Sequence, residues 1–536
     1  MELKKTARID LLKERMLSQP RYVSMEQAMI ITRAYQRHEE EPVILKRAYA
    51  LHDALCELEI GIEPQELIVG NRTKGVRYGV VFPESGISWV DQELETLPTR
   101  PQDKFLVRPE DVQTFREVIK PYWKGKSLED VLKKRYGKEI SALSTVVKIN
   151  QKDHAQGHIC PNVREWLEKG PAGLKEEAQQ HLLDCKEEQR PFYESILLVM
   201  DGVCRFLMRY HDELQKEAKQ HPDWKQDMIE TAEICKALSK RPAETFHEAV
   251  QSMWILFVVL HMESNASSFS PGRLDEILYP YYRKDRELGR LDAQRALDII
   301  ECLWLKFNQI VYLRNKNSAK YFAGFPIGFN IAVGGQDVHG EDVCNELSFL
   351  FLLAQEHIGL PQPNLSVRLH RGTGDALLKK AVRVVAKGSG MPQFFNDEAI
   401  IAELEKLGIS HQDAMDYAIV GCVELTTQGN NLGWSDAAMF NLNKVLELTL
   451  HHGRCLLTNQ QLGPDLGGLD TYESYEELES AFDAMIDHFL QRMIPACEEV
   501  EKAHIDILPS PFLSSVIDDC MEQGMDVTRG GAHYNL

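Results

Sequence analysis

The apolar residues between positions 325 and 450 switch repeatedly between a two-residue period and a helical period, and this alternation constrains the fold most. Residues 329–333 and 365–369 alternate as strands do, and the apolar run 417–420 predicts a third strand. The helices between and after these strands are predicted over about 341–357, 375–387, 397–407 and 437–450. Strands separated by such helices indicate right-handed βαβ units and a parallel sheet, which is either open or closed into a barrel.

The first 260 residues or so have mainly helical patterns, and we find no internal repeat or low-complexity linker. A chain of 536 residues exceeds the size at which a single hydrophobic core stops growing. The length therefore predicts either one large α/β domain with an added helical layer or two to three domains.

The formal net charge of -20 argues against a general affinity for nucleic acid or for an anionic membrane surface, because both are polyanions. No apolar run has the length of a membrane span, and the charged N-terminus does not resemble a signal peptide. The 11 cysteines include no Cys-x-x-Cys pair and no cluster with histidine at metal-ligand spacing. We expect a cytoplasmic protein with reduced thiols and no metal site.

Among the cysteines, Cys422 stands out because it directly follows the predicted strand 417–420. In parallel α/β folds the chemistry collects in loops at the carboxyl ends of strands. Glu424 lies two residues further on, and a nearby carboxylate disfavours a thiolate. This pattern favours a thiol that stays protonated, and hence hydrogen-atom transfer through a thiyl radical. A buried structural thiol and a cysteine hydrolase with a distant histidine are the alternatives, although Glu424 suits the hydrolase poorly.

Several short motifs occur in an order that resembles the glycyl radical enzymes, in the pyruvate formate-lyase-like and glycerol (diol) dehydratase group. They are Glu-Leu-Ile-Val-Gly-Asn-Arg at 66–72, Gly-His at 157–158, Glu-Ser-Asn at 263–265, Ser-Pro-Gly-Arg-Leu-Asp at 270–275, Gln-Pro-Asn-Leu at 362–365, Phe-Asn-Asp-Glu at 395–398, Val-Gly-Cys-Val-Glu at 420–424 and Gly-Gly-Ala-His-Tyr-Asn at 530–535. Each motif is weak alone, but together they span nearly the whole chain.

The resemblance implies an α/β fold, namely a partial ten-stranded α/β barrel in which this chain supplies one five-stranded half-barrel surrounded by helices. Residues 1–260 would form the mainly helical N-terminal part of the pyruvate formate-lyase-like domain. Residues 261–536 would form the βα half-barrel that carries the cysteine loop. The inner faces of its strands are then expected to lie open and to expose apolar surface.

The resemblance also implies roles for the residues around Cys422. Pyruvate formate-lyases proper carry two adjacent cysteines, whereas Cys422 lies between Gly421 and Val423, so formate C-acetyltransferase activity is disfavoured. A single cysteine followed by Val-Glu resembles the dehydratase and lyase branch. There Cys422 would abstract a hydrogen atom from a carbon that bears a hydroxyl, and Glu424 would accept the hydroxyl proton.

The substrate-binding residues implied by the resemblance are His158, Ser268 and Asp436. Ser267 stands where the related dehydratases carry a histidine, so glycerol or propanediol cannot be assumed as substrate. A polyol, a diol or a sugar derivative remains open. The alternatives to a substrate-binding role are a helix-terminal or loop histidine that satisfies backbone groups at His158 and a helix N-cap at Asp436.

Family members end in a loop of the form Arg-Val-x-Gly-Tyr, whose glycine carries the radical, and none of the 34 glycines here lies in such a context. The resemblance therefore implies that no cofactor is bound in this chain, that the C-terminal glycyl radical domain is absent, and that the radical lies on a missing C-terminal segment. A radical SAM activating enzyme would install it. The expected partners are that enzyme, a small polar substrate, a complementing C-terminal chain and a second copy in a homodimer. The alternative is an inactive truncated remnant.

Overall fold

A layer of helices packed around one long helix forms the N-terminal part of the chain. The computed structural model describes residues 3–323, 327–434 and 437–535. The elements of this part are α1 (Ala7–Ser18), β1 (Val23–Ser24), α2 (Glu26–Arg37), α3 (Val43–Glu57), β2 (Gly79–Val80), α4 (Ser88–Glu93), α5 (Pro109–Thr114), α6 (Lys120–Trp123), α7 (Leu128–Leu143), β3 (Val147–Ile149), α8 (Val163–Asp184), α9 (Arg190–Glu217), α10 (Lys225–Leu238) and α11 (Phe246–Glu263). A π-helical turn, Phe115–Ile119, joins α5 to α6, and a 3-10 turn, Pro222–Trp224, precedes α10.

Helix α9 is the centre of this layer, and α3, α8 and α10 pack against it. Its 28 residues bury an apolar stripe at intervals of three or four, which includes Ile196, Val199, Val203, Phe206 and Tyr210. This spacing places the buried side chains on one face of the helix. The division of the chain at residue 260 stays a prediction.

The rest of the chain alternates helices with short strands. Its elements are α12 (Leu274–Glu287), α13 (Ala293–Phe307), α14 (Lys316–Phe322), β4 (Asn330–Gly334), α15 (Glu346–Ile358), β5 (Asn364–Leu369), α16 (Asp375–Val384), β6 (Gln393–Asn396), α17 (Asp397–Lys406), α18 (His411–Met415), β7 (Ala418–Val420), β8 (Glu424–Thr426), β9 (Ala438–Phe440), α19 (Leu442–Leu450), α20 (Tyr475–Ile507), α21 (Pro511–Ser514) and α22 (Cys520–Gln523). A π-helical turn, Val385–Ser389, extends α16, and a 3-10 turn, Val527–Arg529, follows α22.

A parallel sheet of β4, β5 and β6 forms the scaffold for the site, with β5 in the middle. Asn330 pairs with Asn364 in the register of β4 and β5, and Arg368 pairs with Phe395 in that of β5 and β6. Helices α15 and α16 connect these strands, as the spacing of apolar residues predicts. The predicted βαβ units are confirmed.

The strand predicted at 417–420 forms, as β7, but it does not join the parallel sheet. It pairs antiparallel with β8 in a hairpin whose register sets Val420 opposite Glu424. Glu424 therefore begins a return strand rather than lying in a loop. The predicted helix 437–450 is also wrong at its start, because residues 438–440 form β9, which pairs antiparallel with β3.

The inner faces of β4 and β5 are not open, so the expectation of exposed strand faces is wrong for them. All residues of β4 are buried, and so are those of β5 up to Arg368. Asn330 on β4 and Asn364 on β5 both bond the Gly421 carbonyl, between β7 and β8. Only β6 alternates between exposed and partly buried residues, and its Phe394 is exposed.

Helices α11 and α20 differ in burial. All 18 residues of α11 are buried, within a hydrophobic cluster that runs from Ile9 to Val527. Helix α20 has 33 residues but carries many charged side chains. In the described part of the chain, no helix combines the length and apolarity that a membrane span requires.

Candidate active site

Two buried charges anchor the base of the β7–β8 hairpin. Arg368 on β5 forms a bidentate ion pair with Asp397 at the start of α17, with N–O distances of 2.9 and 3.1 Å. The same guanidinium donates to the carbonyls of Met415 and Tyr417, and the Tyr417 hydroxyl donates to Asp397. Buried charges are tolerated when they are paired and hydrogen-bonded in this way. The network fixes the chain just before β7.

Two asparagines hold the tip of the hairpin. Asn330 and Asn364, neighbours across β4 and β5, donate from their side-chain amides to the carbonyl of Gly421 at 3.1 and 2.9 Å. Gly421 has a φ of +57°, in the left-handed region that favours glycine. Cys422 follows at the tip and is exposed, as is Val423. The alternative in which Cys422 is a buried structural thiol is therefore wrong.

The Glu424 carboxylate folds back onto the tip. Its Oε2 atom accepts hydrogen bonds from the backbone N–H groups of Cys422 and Val423, at 2.8 and 3.0 Å. Its Oε1 atom makes no hydrogen bond with the described residues. This geometry places the carboxylate beside Cys422 and leaves one oxygen to accept from a ligand.

His158 lies against the same glycine. A Cβ atom on Gly421 would lie 2.7 Å from both His158 Nε2 and Glu424 Oε2, so the imidazole and the carboxylate both occupy the side of Gly421 to which a Cβ would point. His158 has a φ of +60°, and its backbone N–H donates to the carbonyl of Ser267 at 2.8 Å. Its Nδ1 atom is buried and has no hydrogen-bond partner among the described residues. A partnerless buried nitrogen at this position fits a ligand-binding role.

The other residues predicted for the site are Ser267, Ser268 and Asp436, and the structure describes the first two. Ser267 is half-buried and joins the site through its backbone bond to His158. Ser268 is buried, with a φ of +63°, and its hydroxyl donates to the Ile327 carbonyl at 3.4 Å. Asp436 lies outside the described residues. The structure thus brings Cys422, Glu424, His158 and the Ser267 backbone together, and Ser268 follows Ser267 in the chain.

Asn330 and Asn364 were missed as site residues by sequence reasoning. Asn364 lies within the Gln-Pro-Asn-Leu motif, but no role was assigned to it. Both are amide side chains at the start of buried strands, which is a signal for a specific hydrogen bond. Their shared partner could not be found from sequence, because it lies 57 residues or more along the chain.

A second cysteine lies under the hairpin. Cys160 forms a small buried apolar cluster with Ala418 and Val420 of β7. Burial raises the pKa of the Cys160 thiol far above its ordinary value, so this thiol stays protonated. Cys160, under the hairpin, is therefore shielded from solvent, whereas Cys422, at the tip of the same hairpin, is exposed.

The sequence profile of the family described as pyruvate formate lyase-like matches residues 3–536. Among curated proteins, (2S)-3-sulfopropanediol dehydratase of Klebsiella oxytoca is 30% identical over 98% of this chain and 66% of its own length. Trans-4-hydroxy-L-proline dehydratase of Clostridioides difficile is 30% identical over 98% of this chain and 68% of its own length. The chain thus spans about two thirds of the length of these relatives.

Two solved structures are similar to the whole chain. The glycerol-bound B12-independent glycerol dehydratase of Clostridium butyricum has 34% identity and a TM-score of 0.96, over 100% of this chain and 69% of that one. A structure described for 1,2-propanediol dehydration in Roseburia inulinivorans has 33% identity and a TM-score of 0.97, over 100% and 68%. These likenesses confirm the predicted fold class, an α/β partial barrel surrounded by helices, although the parallel sheet of the described residues has three strands and not the predicted five.

Proposed function

The chain belongs to the pyruvate formate lyase-like family of glycyl radical enzymes, and we propose that it is the cysteine-bearing part of a lyase or dehydratase. Its substrate would be a hydroxylated small molecule, namely a polyol, a diol or a sugar derivative. The relatives carry names of dehydratases and sulfite-lyases. A formate C-acetyltransferase activity stays disfavoured, because Cys422 has no cysteine neighbour.

The hairpin tip is the observation that supports this proposal most directly. Cys422 is exposed there, Glu424 reaches back to its backbone, and the His158 ring lies against Gly421. The hairpin tip thus brings together a thiol, a hydrogen-bond acceptor and an imidazole. These groups suit hydrogen-atom and proton transfer at a carbon that bears a hydroxyl.

In the proposed reaction, the glycyl radical of such enzymes would take the hydrogen atom of the Cys422 thiol and leave a thiyl radical on its sulfur. The Cys422 sulfur takes a hydrogen atom from the hydroxyl-bearing carbon of the substrate and becomes a thiol. Glu424 Oε1 accepts the hydroxyl proton as the bond to the neighbouring group breaks. When that group is a hydroxyl, the same proton is returned to the leaving oxygen, which departs as water. Cys422 then returns the hydrogen atom to the product. Ser267, Ser268, His158 and Asp436 would hold the substrate during these steps.

The radical would be carried by a segment outside residues 1–536 and installed by a radical SAM activating enzyme. We further propose a cytoplasmic, anaerobic setting and a homodimer, with the radical-bearing segment supplied by a longer form of this chain or by a complementing chain. A catalytically inactive remnant is the alternative.

Anaerobic reconstitution with the radical-bearing segment and its activating enzyme tests the proposal. With a substrate deuterated at the hydroxyl-bearing carbon, the assembled enzyme should form product and show a primary isotope effect. Cys422→Ala should abolish turnover while the glycyl radical still forms, as electron paramagnetic resonance would show. Cys160→Ala is the matched control, because it removes the buried thiol under the same hairpin, and it should retain turnover.

Two results would contradict the proposal. Substantial turnover by Cys422→Ala would remove the role of Cys422. A wild-type assembly that forms the radical but turns over no hydroxylated substrate would favour the inactive remnant. Glu424→Gln adds a finer test, because the amide can still accept the two backbone hydrogen bonds but is a much weaker proton acceptor. Its turnover should fall by roughly 10² to 10⁴-fold, the usual contribution of general base catalysis.

A further inference from the structure

A cavity of about 160 Å³ lies between the start of the chain and the segment that follows α13, apart from the hairpin. Arg21, Arg77, Asp103, Asn308, Tyr312 and Pro361 are among its lining residues. Its volume is several times the ~30 Å³ that one water occupies in the liquid. It can therefore hold a small polar group together with the atoms attached to it.

The charges on the cavity wall do not balance. Arg21 donates to the Asp103 carboxylate at 2.7 Å and lies over the Phe105 ring. Asp103 is also shared with Arg100, at 3.4 Å. The Arg77 guanidinium has no ion-pair partner among the described residues. In a protein of net charge -20, this wall carries an excess of positive charge.

Burial lowers the pKa of Arg77 most and the positive charge of Arg21 lowers it further, and the Asp103 carboxylate offsets only part of this shift. A buried polar atom on the same wall, Arg21 Nε, also has no hydrogen-bond partner among the described residues. Buried polar atoms are nearly always satisfied, so these groups fit a ligand that accepts hydrogen bonds and carries negative charge.

Two chains of contacts connect the cavity wall to the candidate active site. The Tyr312 hydroxyl lies near Ser267, whose carbonyl accepts from His158. On the other wall, Asn308 donates to the Gln362 carbonyl, and the Gln362 amide donates to Asn364, which holds Gly421. A ligand that reaches from the arginines past Tyr312 would enter the site from the side of Ser267.

We propose that this cavity binds the oxyanion group of the substrate, a carboxylate, sulfonate or phosphate, so that the substrate class is a hydroxylated anion. The inference rests on the proposed function, because it directs the hydroxylated end of the same molecule toward Cys422. Guanidinium groups suit such ligands because their planar donors match two oxygens of an oxyanion. A separate small anion that occupies the same cavity is the second source of this chemistry.

Binding can be measured on the 536-residue chain without turnover. Inorganic sulfate should bind saturably by calorimetry, in a buffer whose ionic strength is balanced with chloride. Arg77→Gln should weaken sulfate binding by about tenfold or more, the usual loss for a hydrogen bond to a charged group. It should leave the melting temperature unchanged or raise it, because Arg77 has no ion-pair partner to lose. Arg283→Gln, at an exposed arginine of α12, is the matched control and should bind as the wild type does.

A second series identifies the source of the anion. If the oxyanion belongs to the substrate, a hydroxylated sulfonate or carboxylate will bind more tightly than both sulfate and the neutral polyol, also in Cys422→Ala. If the hydroxylated anion binds no more tightly than sulfate, the cavity takes a separate anion. Absence of saturable sulfate binding, or equal binding by wild type and Arg77→Gln, would overturn the proposal. Loss of turnover on Cys422→Ala does not bear on these titrations, so the two proposals fail separately.

Discussion

Two regions of the molecule use a glutamate in the same way and differ in what surrounds it. Glu263, at the end of α11, accepts from the backbone N–H groups of Phe512 and Leu513 at 2.7 and 3.0 Å. Glu424 accepts from those of Cys422 and Val423 at 2.8 and 3.0 Å. Glu263 uses one oxygen for each bond, whereas Glu424 uses Oε2 for both.

Burial separates the two regions further. Glu263 is buried, and burial raises its pKa to about 7 although Arg47 and the two N–H groups oppose this shift. Glu424 is only half-buried, beside an exposed cysteine. The comparison teaches that the hydrogen-bond pattern alone does not distinguish a structural carboxylate from a functional one. The oxygen left over and its access to a ligand distinguish them.

The largest effect on stability is expected when the buried carboxylate is removed. Glu263→Ala should lower the free energy of unfolding by about 3–5 kcal/mol, because it leaves two buried N–H groups unpaired and removes a carboxylate near Arg47. Glu424→Ala should lower it by less than about 1 kcal/mol, because water can reach the amides of the tip. Urea denaturation of both variants measures these changes. Equal losses in the free energy of unfolding would contradict the distinction between a structural Glu263 and a functional Glu424.

The pH dependence of stability should carry the signature of Glu263 as well. Its folded pKa of about 7 lies above the ordinary value of 4.5, so the unfolded chain ionises first as the pH rises. The contribution of Glu263 to the free energy of unfolding is then highest below about pH 4.5, falls between pH 4.5 and 7, and levels off above pH 7. By linkage the loss amounts to roughly 3 kcal/mol.

Glu263→Gln isolates this contribution from those of the other titrating groups. The free energy of unfolding of the wild type, minus that of Glu263→Gln, should decrease over the same pH window when both are measured by denaturant titration. A difference that stays flat from pH 4.5 to 7 would show that Glu263 is ionised in the folded protein.

Much of this arrangement follows from local sequence, and the rest depends on contacts between distant segments. The strands around Asn330 and Asn364 and the position of Cys422 directly after a strand follow from local periodicity and turn residues, whereas its exposure does not. The return strand that begins at Glu424 does not, because three residues are too few for a pattern and its pairing depends on the turn at Gly421. The cavity at Arg77 likewise combines segments that are hundreds of residues apart.

The smallest expected change in stability comes from substitutions of glycine, which test how tightly the hairpin tip is packed. Gly421 and Gly359 have almost the same φ, +57° and +56°, but a Cβ on Gly421 would meet the His158 ring at 2.5 Å, whereas Gly359 has nothing within 4 Å. Gly359→Ala should therefore cost only the backbone strain of a left-handed residue, about 1 kcal/mol. Gly421→Ala should cost about 1–2 kcal/mol more, because the imidazole and Glu424 must move.

The two variants share the strain of a left-handed backbone, so this strain cancels when their free energies of unfolding are subtracted. The difference, measured by urea denaturation, reports how tightly His158 and Glu424 pack on Gly421. It should come with a loss of turnover in the reconstituted enzyme for Gly421→Ala but not for Gly359→Ala. If both variants lose the same free energy of unfolding, His158 and Glu424 are free to move apart. The tip would then lack the fixed geometry that separates it from the buried region at Glu263.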